Sequence, residues 1–172
     1  MLAPITGDVF RTPTRAPLEL EASERLRTLK IPTPQILGYV TYAAFPGFER
    51  ADVATSEIAQ SSDLSHLLMS SDRSVRADGL RAAASLARSL ADAGARHHDL
   101  NIKNVLLQIE PEHEIARAFV IDVDRVTFGL DRRSAIEANV ARLVRSARKW
   151  QRLHGAPVTD AELDAFAAAA RR

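Results

Sequence analysis

One unbroken run, His97-His98-Asp99-Leu100-Asn101-Ile102-Lys103-Asn104, places two histidines, a carboxylate, two amides and a lysine within a short segment. A second acidic pair follows in Ile121-Asp122-Val123-Asp124. Residues of these types at these spacings suit phosphoryl transfer. That reaction needs an acceptor hydroxyl held in line, a carboxylate near its proton, and metal ions bridging the phosphates. On this reading Asp99 takes the acceptor's proton. Asn104 and Asp122 supply oxygen ligands of the kind Mg2+ prefers, with ATP as the donor. His97 braces the loop by hydrogen bonding. Lys103 stands either beside the transferred phosphoryl group or in solvent as an ordinary loop lysine. Asp124 either assists the metal or, the favoured reading, braces the loop through Arg125. A bland reading makes Asp99 and Asn104 turn formers, but it leaves an acid on an apolar strand, Asp122, unexplained.

Such a loop works only if the flanking elements bring Asp99, Asn104 and Asp122 together, and the sequence predicts elements that do so. A helix over 74–93, with Leu80, Ala83, Ala87, Leu90 and Ala91 on one face, ends at Gly94 and delivers the loop. Strands over 104–109 and 118–123, joined by a turn at 110–114, return the chain so that Asp122 faces Asn104. Upstream, a helix over 18–29 stops at Lys30-Ile31-Pro32-Thr33-Pro34. A hairpin follows, with strands at 36–44 and 50–58 around Pro46-Gly47. Ser62 or Asp63 caps a short helix carrying Leu64, Leu67 and Leu68. Downstream, a helix over 134–153 sets Ile136, Val140, Leu143, Val144, Ala147 and Trp150 on its apolar side. A last helix opens with Thr159 and Glu162 at capping-box spacing. Helices and hairpins in this order make an α+β fold.

Composition narrows the class. The 172 residues are 46% hydrophobic and 26% charged, enough for one globular domain with a real core. A net charge of +1 argues against a nucleic-acid binder. The absence of cysteine excludes disulfides and thiolate metal sites. His66, His113 and His154 lack zinc-ligand spacing. The chain shows no secretion signal over its first residues and no apolar run of membrane-crossing length. The expected location is cytoplasmic.

The motifs resemble those of the bacterial lipopolysaccharide kinases that phosphorylate Kdo or heptose sugars, with the 3-deoxy-D-manno-octulosonic acid (Kdo) kinases as the nearest match. The matching pieces are Arg50-Ala51-Asp52-Val53-Ala54-Thr55, the loop 97–104 and Val120-Ile121-Asp122-Val123-Asp124-Arg125. The most distinctive is Asn139-Val140-Ala141-Arg142-Leu143-Val144-Arg145-Ser146 with the basic residues that follow. The resemblance spans about residues 17–165. It implies a protein-kinase-like fold, mainly the helical C-lobe with a truncated N-lobe: a lead-in over 1–16, a partial small lobe over 17–58, and a helical catalytic lobe over 59–172. It implies that Ser56, Glu57 and Ile58 form the hinge that holds adenine. It also implies Kdo-lipid A as acceptor, with peripheral contact at the cytoplasmic face of the inner membrane. Arg142, Arg145, Arg148, Lys149 and Arg152 are read either as a solvated helix face or as contacts to an anionic sugar or membrane, with Arg145 singled out. Val123 replaces the family's usual Phe, and Asp124 stands where protein kinases carry Gly.

Kinase-like folds also cover ATP with a Gly-rich hairpin and set a lysine against a helix glutamate. Glu19 is the candidate glutamate, with Glu21 and Glu24 as alternatives. No lysine precedes Lys30, and residues 1–16 hold a single glycine. The expectation is therefore an incomplete chain, with an exposed sheet edge along 36–44 or 50–58. Two other readings stay open: an aminoglycoside- or choline-type small-molecule kinase, and a degenerate pseudokinase.

Overall fold

The computed structural model describes residues 10–11, 14–109 and 115–172. Its elements follow the order β1 Phe10–Arg11, α1 Ala16–Thr28, β2 Ile36–Phe45, β3 Phe48–Thr55, β4 Ser61–Asp63, α2 Leu64–Leu68, α3 Arg73–Asp92, β5 Arg96–His97, β6 Val105–Ile109, β7 Ile115–Val120, β8 Val126–Thr127, α4 Arg132–His154 and α5 Asp160–Arg171. A 3-10 turn over Val123–Arg125 precedes β8. The fold is α+β, as expected. Three small antiparallel sheets are ordered β1-β3-β2, β4-β6-β7 and β5-β8.

Helices α2 to α5 start where side chains can satisfy free amides. Asp63, rather than Ser62, caps α2 by accepting from the His66 amide. Asp72 and Asp131 cap α3 and α4 through the Ser74 and Ser134 amides. The expected capping box closes around Thr159 and Glu162. Glu162 also receives Arg76 in a buried ion pair at 3.0 Å, so the start of α5 is pinned to α3. Such a pair stays favourable only while its hydrogen bonds are complete. Arg76 completes its share by donating to the Ser70 and Ser71 carbonyls.

One apolar core joins α1, α2, α3, α4 and α5 with β6 and β7. Leu26, Leu68, Leu90, Val105, Leu107 and Val120 are fully buried in it. No residue of β2 or β3 belongs to that core. Leu37, Val40 and Phe45 are more than half exposed, and β2 is an open sheet edge, as expected for 36–44.

Several boundaries differ from the sequence reading. Phe10–Arg11 is a strand paired with β3 inside the expected irregular lead-in, and α1 begins at Ala16 with Pro17 in its first turn, where a missing N–H costs nothing. The second hairpin strand ends at Thr55, because residues 56–58 leave the ladder to line a cleft. Ser61–Asp63 adds an unforeseen edge strand on β6. His97 lies in β5 rather than in a free loop. The turn expected at 110–114 lies outside the described residues.

Gly94 joins α3 to β5 at φ +62, and a Cβ there would stand 2.5 Å from the Leu130 carbonyl oxygen. Gly94→Ala is expected to lower stability by more than about 1 kcal/mol, measured by urea unfolding. An unchanged midpoint would show that the α3–β5 junction relaxes freely.

Candidate active site

β5 and the loop behind it are fixed from both sides. His97 is fully buried. Its Nδ1 accepts the Asp99 amide at 3.1 Å, and its Nε2 lies 3.1 Å from the Ile121 carbonyl oxygen, so the proton belongs on Nε2. The His97 amide donates to Asn139 Oδ1, and Asn139 Nδ2 donates to the Ala95 carbonyl. Farther along, the Ile102 amide donates to Ser146 Oγ. Asn139 and Ser146 both stand on α4, whose sequence was the most distinctive motif of the chain.

The three predicted residues meet. Asn104 Nδ2 donates to the Asp99 carbonyl at 3.0 Å and to Asp122 Oδ2 at 3.3 Å. Asp122 does not end the strand, as the sequence suggested. β7 stops at Val120, and Asp122 adopts φ 58, ψ 52, a left-handed conformation uncommon for a residue with a side chain. That bend exposes its carboxylate to a cleft instead of leaving it on a buried strand. The Ile121 amide donates to the Asn104 carbonyl and holds the bend in register.

The cleft beside Asp122 has a volume of about 580 Å³. Glu19, Ile36, Ser56, Glu57, Ile58 and Asp122 are among its walls, so the expected hinge and the Glu19 candidate share one cavity. Glu21 lines a different cavity, beside Arg25 and Phe128, and Glu24 lies at a third. Burial raises the proton affinity of Glu19, and the Asp122 and Asp124 charges add to it. Asp124 is likewise pushed up, by burial first and Asp122 second. Its partner is Arg15 at 3.2 Å and not the expected Arg125, whose backbone carbonyl instead receives the His98 amide. Among the described residues no lysine or arginine lines this cleft.

Crowded negative charge of this kind is what a bound cation relieves. Among the described residues, no three His, Asp or Glu side chains form a ready metal cage. Mg2+ commonly takes one or two carboxylates and completes its shell with phosphates and water, which the Asp122–Asn104 pair fits.

A second cleft, of about 440 Å³, opens at Asp99. Lys103, Arg142, Arg145, Ser146, Lys149 and Trp150 line it. Lys103 sits 5.0 Å from the centre of the Trp150 ring, and Arg142 Nη2 lies 3.2 Å from Asp99 Oδ1. Trp150, expected in the core, is half-buried with the cleft on one side. Its Nε1 and the Nε of Arg142 are buried donors without hydrogen-bond partners. The basic helix face divides: Arg142, Arg145 and Lys149 line the cleft, whereas Arg148 pairs with Asp160. Sequence reasoning missed the anchoring roles of Asn139 and Ser146. Their spacing from Arg142, three and four residues, is the signal that could have found them.

Together, the α+β arrangement of small sheets and helices and the Asp99–Asn104–Asp122 chain beside two clefts fit a protein-kinase-like fold. A solved structure, WaaP in complex with acyl carrier protein, superposes with a TM-score of 0.68 at 19% identity, covering 100% of this chain and 78% of that one. No curated protein matches the sequence. The model of the lipopolysaccharide kinase (Kdo/WaaP) family matches residues 7–169, and the chain belongs to that family. Among the described residues, no helix is long and apolar enough to cross a membrane.

The buried imidazole gives a pH prediction. Burial holds His97 below the ordinary histidine range, and protonating Nδ1 would oppose it to the Asp99 N–H. A depressed folded value means that stability is complete above the unfolded pKa of about 6.5 and is lost as pH falls toward the folded value. Wild type is therefore expected to lose more stability between pH 7.5 and 5.5 than His97→Gln does. His97→Gln should itself cost about 1–3 kcal/mol at pH 7.5. Parallel pH dependences in urea unfolding would refute the assignment.

Proposed function

We propose that the chain transfers the γ-phosphoryl group of ATP to a hydroxyl of Kdo in the lipopolysaccharide inner core. Membership of the lipopolysaccharide kinase family supports a sugar acceptor. The observation that carries the reading is the hydrogen-bonded chain Asp99–Asn104–Asp122 set between an acid-rimmed cleft and a basic one. In this reading the larger cleft takes ATP, with the adenine against the backbone of Glu57 and Ile58. Asp122 and Asn104 hold Mg2+, which neutralises phosphate charge when bound. Glu19 remains the candidate partner for a phosphate-contacting cation.

Asp99 faces the basic cleft and accepts the acceptor's proton there. Lys103, Arg145 and Lys149 suit an acceptor with carboxylate or phosphate oxygens. The unpartnered Trp150 donor suits an oxygen-rich ligand too, since buried donors without partners are rare. Kdo-lipid A has such oxygens, and a lipid-borne acceptor places the chain peripherally at the cytoplasmic face of the inner membrane. The proposed division is a small lobe over 17–58, which β1 of the lead-in 1–16 joins by pairing with β3, and a catalytic lobe over 59–172.

A second reading, a binding module that no longer turns over, is favoured by the absence of a lysine or arginine among the described walls of the larger cleft. Two measurements separate the readings. Mg-ATP at a hundredfold excess over its dissociation constant should stabilise the fold by about 2.7 kcal/mol, and Asp122→Ala should abolish the shift. Transfer of labelled phosphate to Kdo-lipid A should fall by roughly 10²–10⁴-fold in Asp99→Asn, with the thermal shift retained. Stabilisation without transfer would favour the binding module, and no stabilisation would sink both readings.

A further inference from the structure

The backbone of Asp99 is held by three hydrogen bonds: its amide to His97, and its carbonyl from Asn101 and from Asn104. Its carboxylate has one recorded partner, Arg142, at 3.2 Å on Oδ1. The main chain therefore fixes where the acid starts, and among the described residues Arg142 is the side chain that holds a carboxylate oxygen. Arg142 stands on α4 between two residues that grip the same loop. Asn139, one turn earlier on α4, grips the backbone of Ala95 and His97. Ser146, one turn later, grips Ile102. Three α4 residues at helical spacing thus hold the loop before, at and after Asp99. The Nε of Arg142 is buried and without a hydrogen-bond partner.

We infer that Arg142 is the positioning residue for phosphoryl transfer, turning Asp99 so that Oδ1 is occupied and Oδ2 faces the acceptor. This rests on the phosphotransfer reading. As the acceptor oxygen forms its bond to the γ-phosphorus, the bond from that phosphorus to the ADP oxygen breaks. The acceptor's proton passes to Asp99 Oδ2, and the electron pair of the broken bond leaves with ADP. A carboxylate free to rotate would present its lone pair to the acceptor for only part of the time. Misplacement on the ångström scale costs such reactions roughly 10²-fold. Lysine is a weaker substitute, because its flexible ammonium is a point charge without the planar, pre-organised donor set of the guanidinium.

The test is a double-mutant cycle on ATP hydrolysis, in which water replaces the sugar, repeated with Kdo-lipid A. The four proteins are wild type, Arg142→Gln, Asp99→Asn and the double variant. Arg142→Lys stands in should Arg142→Gln fail to unfold cooperatively. Arg142→Gln should lower kcat by roughly 10²-fold while leaving the Kd for Mg-ATP unchanged. In the Asp99→Asn background the same substitution should change kcat less than about twofold, because a residue acting through another has nothing left to orient. Equal fold losses in both backgrounds would overturn the inference, as would hydrolysis indifferent to Asp99→Asn. A cycle that behaves as expected on hydrolysis, with no transfer to Kdo-lipid A, would remove the sugar acceptor and leave the positioning role standing.

Discussion

His97 is wedged between the loop that carries Asp99 and the strand end that leads to Asp122, and both of its ring nitrogens are used. One accepts the Asp99 amide and the other donates to the Ile121 carbonyl. Two segments far apart in sequence are therefore measured against one rigid ring. The arrangement requires a neutral imidazole, and burial in the core supplies that condition. The Asp99–Asn104–Asp122 contacts are consequences of this clamp, because Asn104 reaches the Asp99 carbonyl and the Asp122 carboxylate together only when the two segments lie at this separation.

The clamp is itself mounted on helices. α3 delivers the loop through Gly94, α4 grips it through Asn139, Arg142 and Ser146, and α5 is tied to α3 by the buried Arg76–Glu162 pair. Chemistry-bearing groups thus sit on a short loop whose backbone is bonded to a packed helical layer. Precise placement and exposure to ligand coexist that way. The two clefts differ in charge because different elements build them. Acids from α1 and the turn after β7 rim one, and cations from α4 and the loop line the other.

Much of this was legible in the sequence. Gly94, the Thr159–Glu162 box and the apolar periodicity of α3 and α4 are local signals, and local signals survive folding. The trio Asp99, Asn104 and Asp122 was legible from spacing, since a hairpin must return the chain on itself. Less legible was the bend at Asp122, where an apolar run, Ala118 to Val123, reads as strand although its end is turned aside by a left-handed residue. The partner of Asp124 was missed for a related reason: Arg15 is distant in sequence, and proximity along the chain pointed to Arg125. Asn139 and Ser146 read as polar positions on an amphipathic helix. Only the tertiary arrangement shows that they face a backbone rather than water.

The β2–β3 hairpin has a different standing from the rest of the molecule. Its strands bond mainly to each other, its side chains stay outside the core, and at its base Gln35 and Ser56 exchange hydrogen bonds that close the ladder. Yet Ile36 and Thr55, at that same base, wall the larger cleft. One side of the cavity therefore belongs to the cooperative core and the other to a unit whose opening free energy is set by few buried contacts. Any occupant of the cleft must bear the work of holding that wall closed, so its observed affinity is the intrinsic affinity scaled by the closed fraction. A neighbour that steadied the hairpin from its open edge would tighten the cleft without touching it.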